Sequence, residues 1–66
     1  MNVKKLKAKM VERGLTVEKL GEKISIDRSS MYRRLATPEK ITIGEALRMA
    51  DALELTDEEA CAIFLK

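Results

Sequence analysis

The sequence predicts an all-α fold, a compact domain of five short helices, from three observations. Apolar residues recur at spacings of three and four along nearly the whole chain, the period of a helix with one buried face. A short polar residue suited to an N-cap (Asn2, Thr16, Asp27, Thr42 and Thr56) stands before each of five such runs. The chain has 66 residues, so it forms at most one small domain, 1–66, for which a single helical core is the efficient solution.

Asn2 opens the first helix, roughly Val3 to Arg13. Val3, Leu6 and Met10 form its apolar face, and Lys4, Lys5, Lys7 and Lys9 are expected to be solvated. Gly14 is the stop, because it enters the left-handed region without a Cβ penalty. Leu15 is expected to plug the core as the chain turns. The central stretch is Thr16 to Leu35, which reads as a helix over about 17–23, a tight turn, and a second helix over about 28–36. Leu20 and Ile24 share a face of the first, and Met31 and Leu35 share a face of the second.

Pro38 breaks the chain again between Ala36 and Ile41. Thr42 and Glu45 then form a capping box that opens a helix of roughly Ile43 to Leu53. Its apolar stripe of Ile43, Ala46, Leu47, Ala50 and Leu53 is assigned to the core. Thr56 and Glu59 repeat the box before a last helix of about Asp57 to Leu65, with Ala60, Ile63 and Phe64 facing inward. Cys61 is read as a small packing residue, since Asp57, Glu58 and Glu59 disfavour a thiolate.

The composition excludes several classes. One cysteine and no histidine rule out an internal disulfide and a Cys/His zinc site, and favour a reducing cytoplasm. No apolar run is long enough to span a membrane. Four lysines interrupt Val3 to Val11, so no secretory leader is expected. No acid–base pair, nucleophile–base pair or Gly-rich phosphate loop is visible, so no enzyme, cofactor, metal or small-molecule ligand is expected. The net charge of +2 hides an asymmetry. Residues 1–40 hold eleven Lys or Arg against five Asp or Glu (+6), and residues 41–66 hold two against six (−4). A polyanion would be drawn to the first half.

The helix over 28–36 lies within that basic half. With Met31 and Leu35 turned inward, Ser29 and Arg33 lie opposite, Arg28 and Tyr32 flank them on one side and Arg34 on the other. Arg, Ser and Tyr side chains suit the base edges of a DNA major groove. Arg28, Ser29, Tyr32 and Arg33 are the candidate base readers. Thr16, Lys19, Ser30, Arg34, Lys40 and Thr42 are the candidates for the phosphate backbone.

Leu20, the Ser30-Met31 pair and the segment ALRMADALEL from Ala46 to Leu55 also carry a resemblance. Over nearly the whole chain the sequence resembles the helix-turn-helix domains of the phage Cro and lambda-repressor group, the XRE-like family. Three positions depart from the family's habit: Val17 where Gln is frequent, Gly21 where Ala is common at the helix crossing, and Ser25 where the turn usually has Gly. The resemblance implies a small Cro/repressor-type regulator of phage or mobile-element origin. It would bind a near-palindromic DNA operator as a homodimer, with the loop near Lys40 and Thr42 on the backbone. The last helix, through Ile63, Phe64 and Leu65, is the expected self-contact. The competing reading is a protein-binding module, an antitoxin or adaptor, docking through the acidic half around Asp57 to Glu59.

Overall fold

The structure, a computed structural model, describes residues 1–65. It is all-helical: α1 (Val3–Glu12), α2 (Val17–Lys23), α3 (Arg28–Ala36), α4 (Ile43–Ala52) and α5 (Asp57–Phe64), with a single 3₁₀ turn at Pro38–Lys40 between α3 and α4. No strand occurs among the described residues. Each expected N-cap accepts from the backbone amide three residues on: Asn2 from Lys5, Thr16 from Lys19, Asp27 from Ser30, Thr42 from Glu45 and Thr56 from Glu59. Both capping boxes are closed, with Glu45 and Glu59 accepting from the amides of Thr42 and Thr56.

Three of the helices end in the same way. After α1, α2 and α4 the chain enters the left-handed region at Gly14, Ser25 and Glu54, with φ of 69°, 60° and 54°. The next residue donates its amide five residues back: Leu15 to Met10, Ile26 to Gly21 and Leu55 to Ala50. That is the Schellman arrangement, and Leu15, Ile26 and Leu55 pack against the core in each case. The N-cap of the next helix follows at once. Ser25 therefore adopts the geometry that glycine would take more readily. Two arginines complete these ends from far along the chain. Arg13 donates to the carbonyls of Leu53 and Glu54, and Arg48 to that of Ile24.

The core is Leu6, Met10, Leu20, Ile24, Met31, Leu35, Met49, Leu53 and Ile63. Leu15, Val17, Ile26, Ile41 and Phe64 are half-buried against it. At the α2–α3 crossing Gly21 is itself buried, and a Cβ there would stand 2.5 Å from the Ile26 carbonyl oxygen and 2.7 Å from Met31 Cγ. Val17 packs inward from the start of α2 rather than facing solvent.

Three expectations are corrected. Helix α4 is rotated from the orientation its apolar stripe suggests: of that stripe Leu53 is buried as expected and Ala46 and Ala50 are half-buried, but Ile43 is 82% and Leu47 67% exposed, and Glu45 and Met49 are buried instead. The core side carries a charge, Glu45, because Arg34 of α3 meets it with Nε at 2.9 Å and Nη2 at 2.8 Å. Cys61, expected to pack, is exposed. Lys9, expected to be solvated, lies between Glu12, at 2.9 Å, and Glu59, tying α1 to α5. The Asn2 amide also joins the start of α1 to α5 by donating to the Ile63 carbonyl.

Two outcomes follow from this packing. Gly21→Ala should destabilise the fold by about 1–3 kcal/mol through overpacking, outweighing the better helix propensity of alanine. A urea midpoint unchanged or raised would show that the α2–α3 crossing is looser than described. The second outcome concerns acid. Hydrogen bonding to Lys9, with the Thr56 amide second, lowers the Glu59 carboxyl from 4.5 to about 2. Because the folded value lies below the unfolded one, this stabilisation is complete above pH 4.5 and is lost as pH falls toward 2. Glu59→Gln should lower the melting temperature at neutral pH and flatten its fall across that acid window, measured by circular dichroism. An equally steep fall in the variant would assign the acid sensitivity elsewhere.

Candidate nucleic-acid interface

The surface of interest is the outer face of α3. Asp27 starts the helix, and Met31 and Leu35, 0% and 8% exposed, hold it from behind. With those two inward, Arg28, Ser29, Tyr32, Arg33 and Ala36 are left on the exposed side. The four expected base readers are thus together on one surface, and none serves the core.

Their side chains are held in part. Arg28 lies over the Tyr32 ring, 5.8 Å from its centroid, one helical turn away. Its Nε is 3.6 Å from the Glu18 carboxylate of α2. Arg33 points back along the helix: its Nη2 donates to Ser30 Oγ at 3.2 Å, and that hydroxyl donates to Asp27 Oδ1 at 2.6 Å. The Asp27 carboxyl is held below its usual range, first by the Ser30 hydroxyl, next by the Ser30 amide, with nearby Arg33 contributing least. The face therefore offers two guanidinium groups, a serine hydroxyl and a phenol, with carboxylates at its N-terminal edge. Such a set can donate bidentately to a planar acceptor pair and stack on an apolar surface.

The expected backbone-contact residues divide into two groups. Thr16, Lys19, Lys40 and Thr42 are exposed, with Thr16 and Thr42 at the N-caps of α2 and α4. Ser30 and Arg34 are half-buried and turned to internal partners. Arg34 reaches Glu45 and, at 3.4 Å, the Ser30 carbonyl, so it braces α3 against α4. Glu45 is lowered below the ordinary carboxylate range, first by Arg34 and then by the Thr42 amide. At the other end of α3, Arg33, Arg34, Ala36, Thr37 and Lys40 line a shallow basic cleft.

Of the expected self-contact residues, Ile63 is 2% exposed and belongs to the core. Its carbonyl and side chain are used within the chain, which corrects its assignment to a contact surface. Phe64 is half-buried and Leu65 is 78% exposed. Sequence periodicity missed Arg13 and Arg48, whose partners lie 40 and 24 residues away, because no local spacing signals a long-range cap.

Among the described residues no cluster of His, Cys, Asp and Glu is arranged to hold a metal ion, and no helix is long and apolar enough to cross a membrane. Compared with protein-family models, curated proteins and solved structures, the chain matches none, so the site is read from its own geometry.

The two arginines that follow one another in α3 should behave differently. Arg34→Ala leaves the buried Glu45 carboxylate without its guanidinium partner and should lower the melting temperature. Arg33→Ala, at an exposed site, should leave it nearly unchanged. Equal losses would mean that Arg34 does not brace α3 against α4.

Proposed function

We propose that this chain binds double-stranded DNA sequence-specifically, as a small Cro/repressor-type transcriptional regulator acting in a bacterial cytoplasm or nucleoid. In this reading α2 and α3 form the helix-turn-helix, and α3 enters the major groove N-terminus first. The observation that carries the proposal is the outer face of α3: two arginines, a serine and a tyrosine exposed on a helix whose other side is locked into the core.

Arg28 and Arg33 are the groups for guanine edges, where a bidentate pair to O6 and N7 is available. Ser29 supplies one further hydrogen bond, and Tyr32 an apolar or phosphate contact. Thr16, Lys19, Lys40 and Thr42 would set the register on the phosphates, with the basic cleft at the C-terminal end of α3 following the backbone. Arg34 and Ser30 contribute indirectly by holding α3 and Arg33 in place. A two-fold pair of copies would read half-sites about one helical turn apart.

One observation favours a second reading. Glu18 lies beside Arg28, and Asp27 joins Arg33 through Ser30, so the arginine face is interrupted by carboxylates. A mixed face of this kind suits a protein partner, as in an antitoxin or adaptor. On DNA, Arg28 would have to leave Glu18 for a base; that bond is long, at 3.6 Å, and both partners are largely exposed.

Selection of random duplexes on the purified protein, at near-physiological salt, separates the two readings. An enriched site is expected. On that site Arg33→Ala should cost about 1–3 kcal/mol and relax preference at one base position. Lys19→Ala should weaken all sequences alike and reduce the salt slope by about one. No enrichment above weak, salt-sensitive binding would favour the protein-partner reading.

A further inference from the structure

Among the described residues, Tyr32 is the one large apolar side chain left exposed on the arginine face of α3, at 49%. It belongs neither to the core nor to the residues packed against it. The Arg28 guanidinium lies over its ring, 5.8 Å from the centroid, while Glu18 of α2 approaches the same guanidinium at Nε. A ring in this place meets whatever α3 docks on. Base edges in the major groove carry donors, acceptors and a single apolar group, the C5-methyl of thymine. Cytosine presents a bare C5–H there, and 5-methylcytosine presents the same methyl as thymine.

We propose that Tyr32 reads a 5-methylpyrimidine, thymine or 5-methylcytosine, close to the guanine taken by Arg28. This rests on the DNA reading of the outer face of α3 and names bases that reading requires. A guanidinium that pairs bidentately with guanine O6 and N7 lies in the plane of that base. A ring over the guanidinium is therefore displaced along the stacking direction, toward neighbouring base pairs. At 5.8 Å the ring centre lies beyond one base step of about 3.4 Å and short of two. The methyl it meets is thus on one of the next two pairs.

The same contact prepares Arg28. On DNA the guanidinium leaves Glu18, which belongs to another helix, but stays over a ring one turn along its own. Covering one methyl group against the ring is worth about fourfold in affinity. Because cytosine gains that methyl only on modification, binding would also respond to cytosine methylation within the site. A phosphate contact through the Tyr32 hydroxyl would depend on neither methyl.

The test uses the whole chain and the duplex enriched by selection on the purified protein. Selection on Arg28→Ala locates the guanine, as the position where preference is lost. Deoxyuridine then replaces each thymine of the wild-type site in turn, which removes the methyl and keeps the pairing edge. One replacement within two pairs of that guanine should weaken binding about fourfold. With that pair changed to C·G, methylating the cytosine at C5 should strengthen binding by the same factor. Both effects should vanish in Tyr32→Ala and persist in Tyr32→Phe, which keeps the ring and lacks the hydroxyl. Circular dichroism checks that each variant is folded, and a guanine preference retained in Tyr32→Ala shows that α3 is still in place. An enriched site without a methyl-sensitive thymine in that window would overturn the proposal and leave the DNA reading standing. So would methyl dependence that survives Tyr32→Ala, its loss in Tyr32→Phe, or an unchanged base preference in Arg28→Ala. A selection that enriches no duplex would remove the DNA reading and this proposal together.

Discussion

The close crossing of α2 and α3 at Gly21 is the constraint on which the rest of the structure depends. The Ile26 carbonyl and the Met31 side chain occupy the space that a Cβ at position 21 would need. The Ile26 amide also closes the end of α2 by donating to the Gly21 carbonyl. One residue thus sets both the separation of the two helices and the turn that joins them. Because Met31 is fully buried at this crossing, the rotation of α3 about its own axis is fixed. The exposure of Arg28, Ser29, Tyr32 and Arg33 follows from that rotation, and the position of the arginine face is a consequence of packing on the opposite side of α3.

Helices of seven to ten residues are marginal by themselves, and here their ends are tied throughout. A repeated four-part device does much of this: a left-handed residue, a half-buried apolar residue, a polar N-cap, then the next helix. It occurs as Gly14-Leu15-Thr16, Ser25-Ile26-Asp27 and Glu54-Leu55-Thr56. Each instance turns the chain sharply within three residues and leaves no loop to order. Arg13 and Arg48 then satisfy carbonyls that short helices leave exposed. Among the described residues no buried side-chain nitrogen or oxygen lacks a partner, so the small apolar core is not offset by unsatisfied polar groups.

The ion pair of Arg34 with Glu45 links α3, which carries the arginine face, to α4 and its exposed apolar side. By accepting Arg34 on one oxygen and the Thr42 amide on the other, Glu45 fixes α3, the connection and the start of α4 together. Turning Glu45 inward turns Ile43 and Leu47 outward, since these positions lie on opposite sides of a helix that advances about 100° per residue. The same electrostatic choice that braces α3 therefore creates the apolar surface of α4.

Local chemistry made much of this legible. The five N-caps, both capping boxes, the glycine stop and the helix spans are written in neighbouring residues, because each rests on contacts three to five positions apart. The outer face of α3 was legible for the same reason: Met31 and Leu35 are the only large apolar residues of that helix that can be buried together without burying an arginine. Three things lay beyond local pattern. In α4 two stripes compete, and the more apolar one lost, because a distant guanidinium made it possible to bury Glu45. On α5 the helical period already turned Ile63 inward, but Cys61, about 200° round the helix from it, was expected to pack and is exposed, because α1 meets the side that carries Ile63. The long-range caps of Arg13 and Arg48 have no sequence signature at all. The sequence by itself determined the elements and the composition of the arginine face, through short-range hydrogen bonds and helical period. Only the tertiary structure decided which side of α4 faces water, because that depends on a charge pair between residues on different helices.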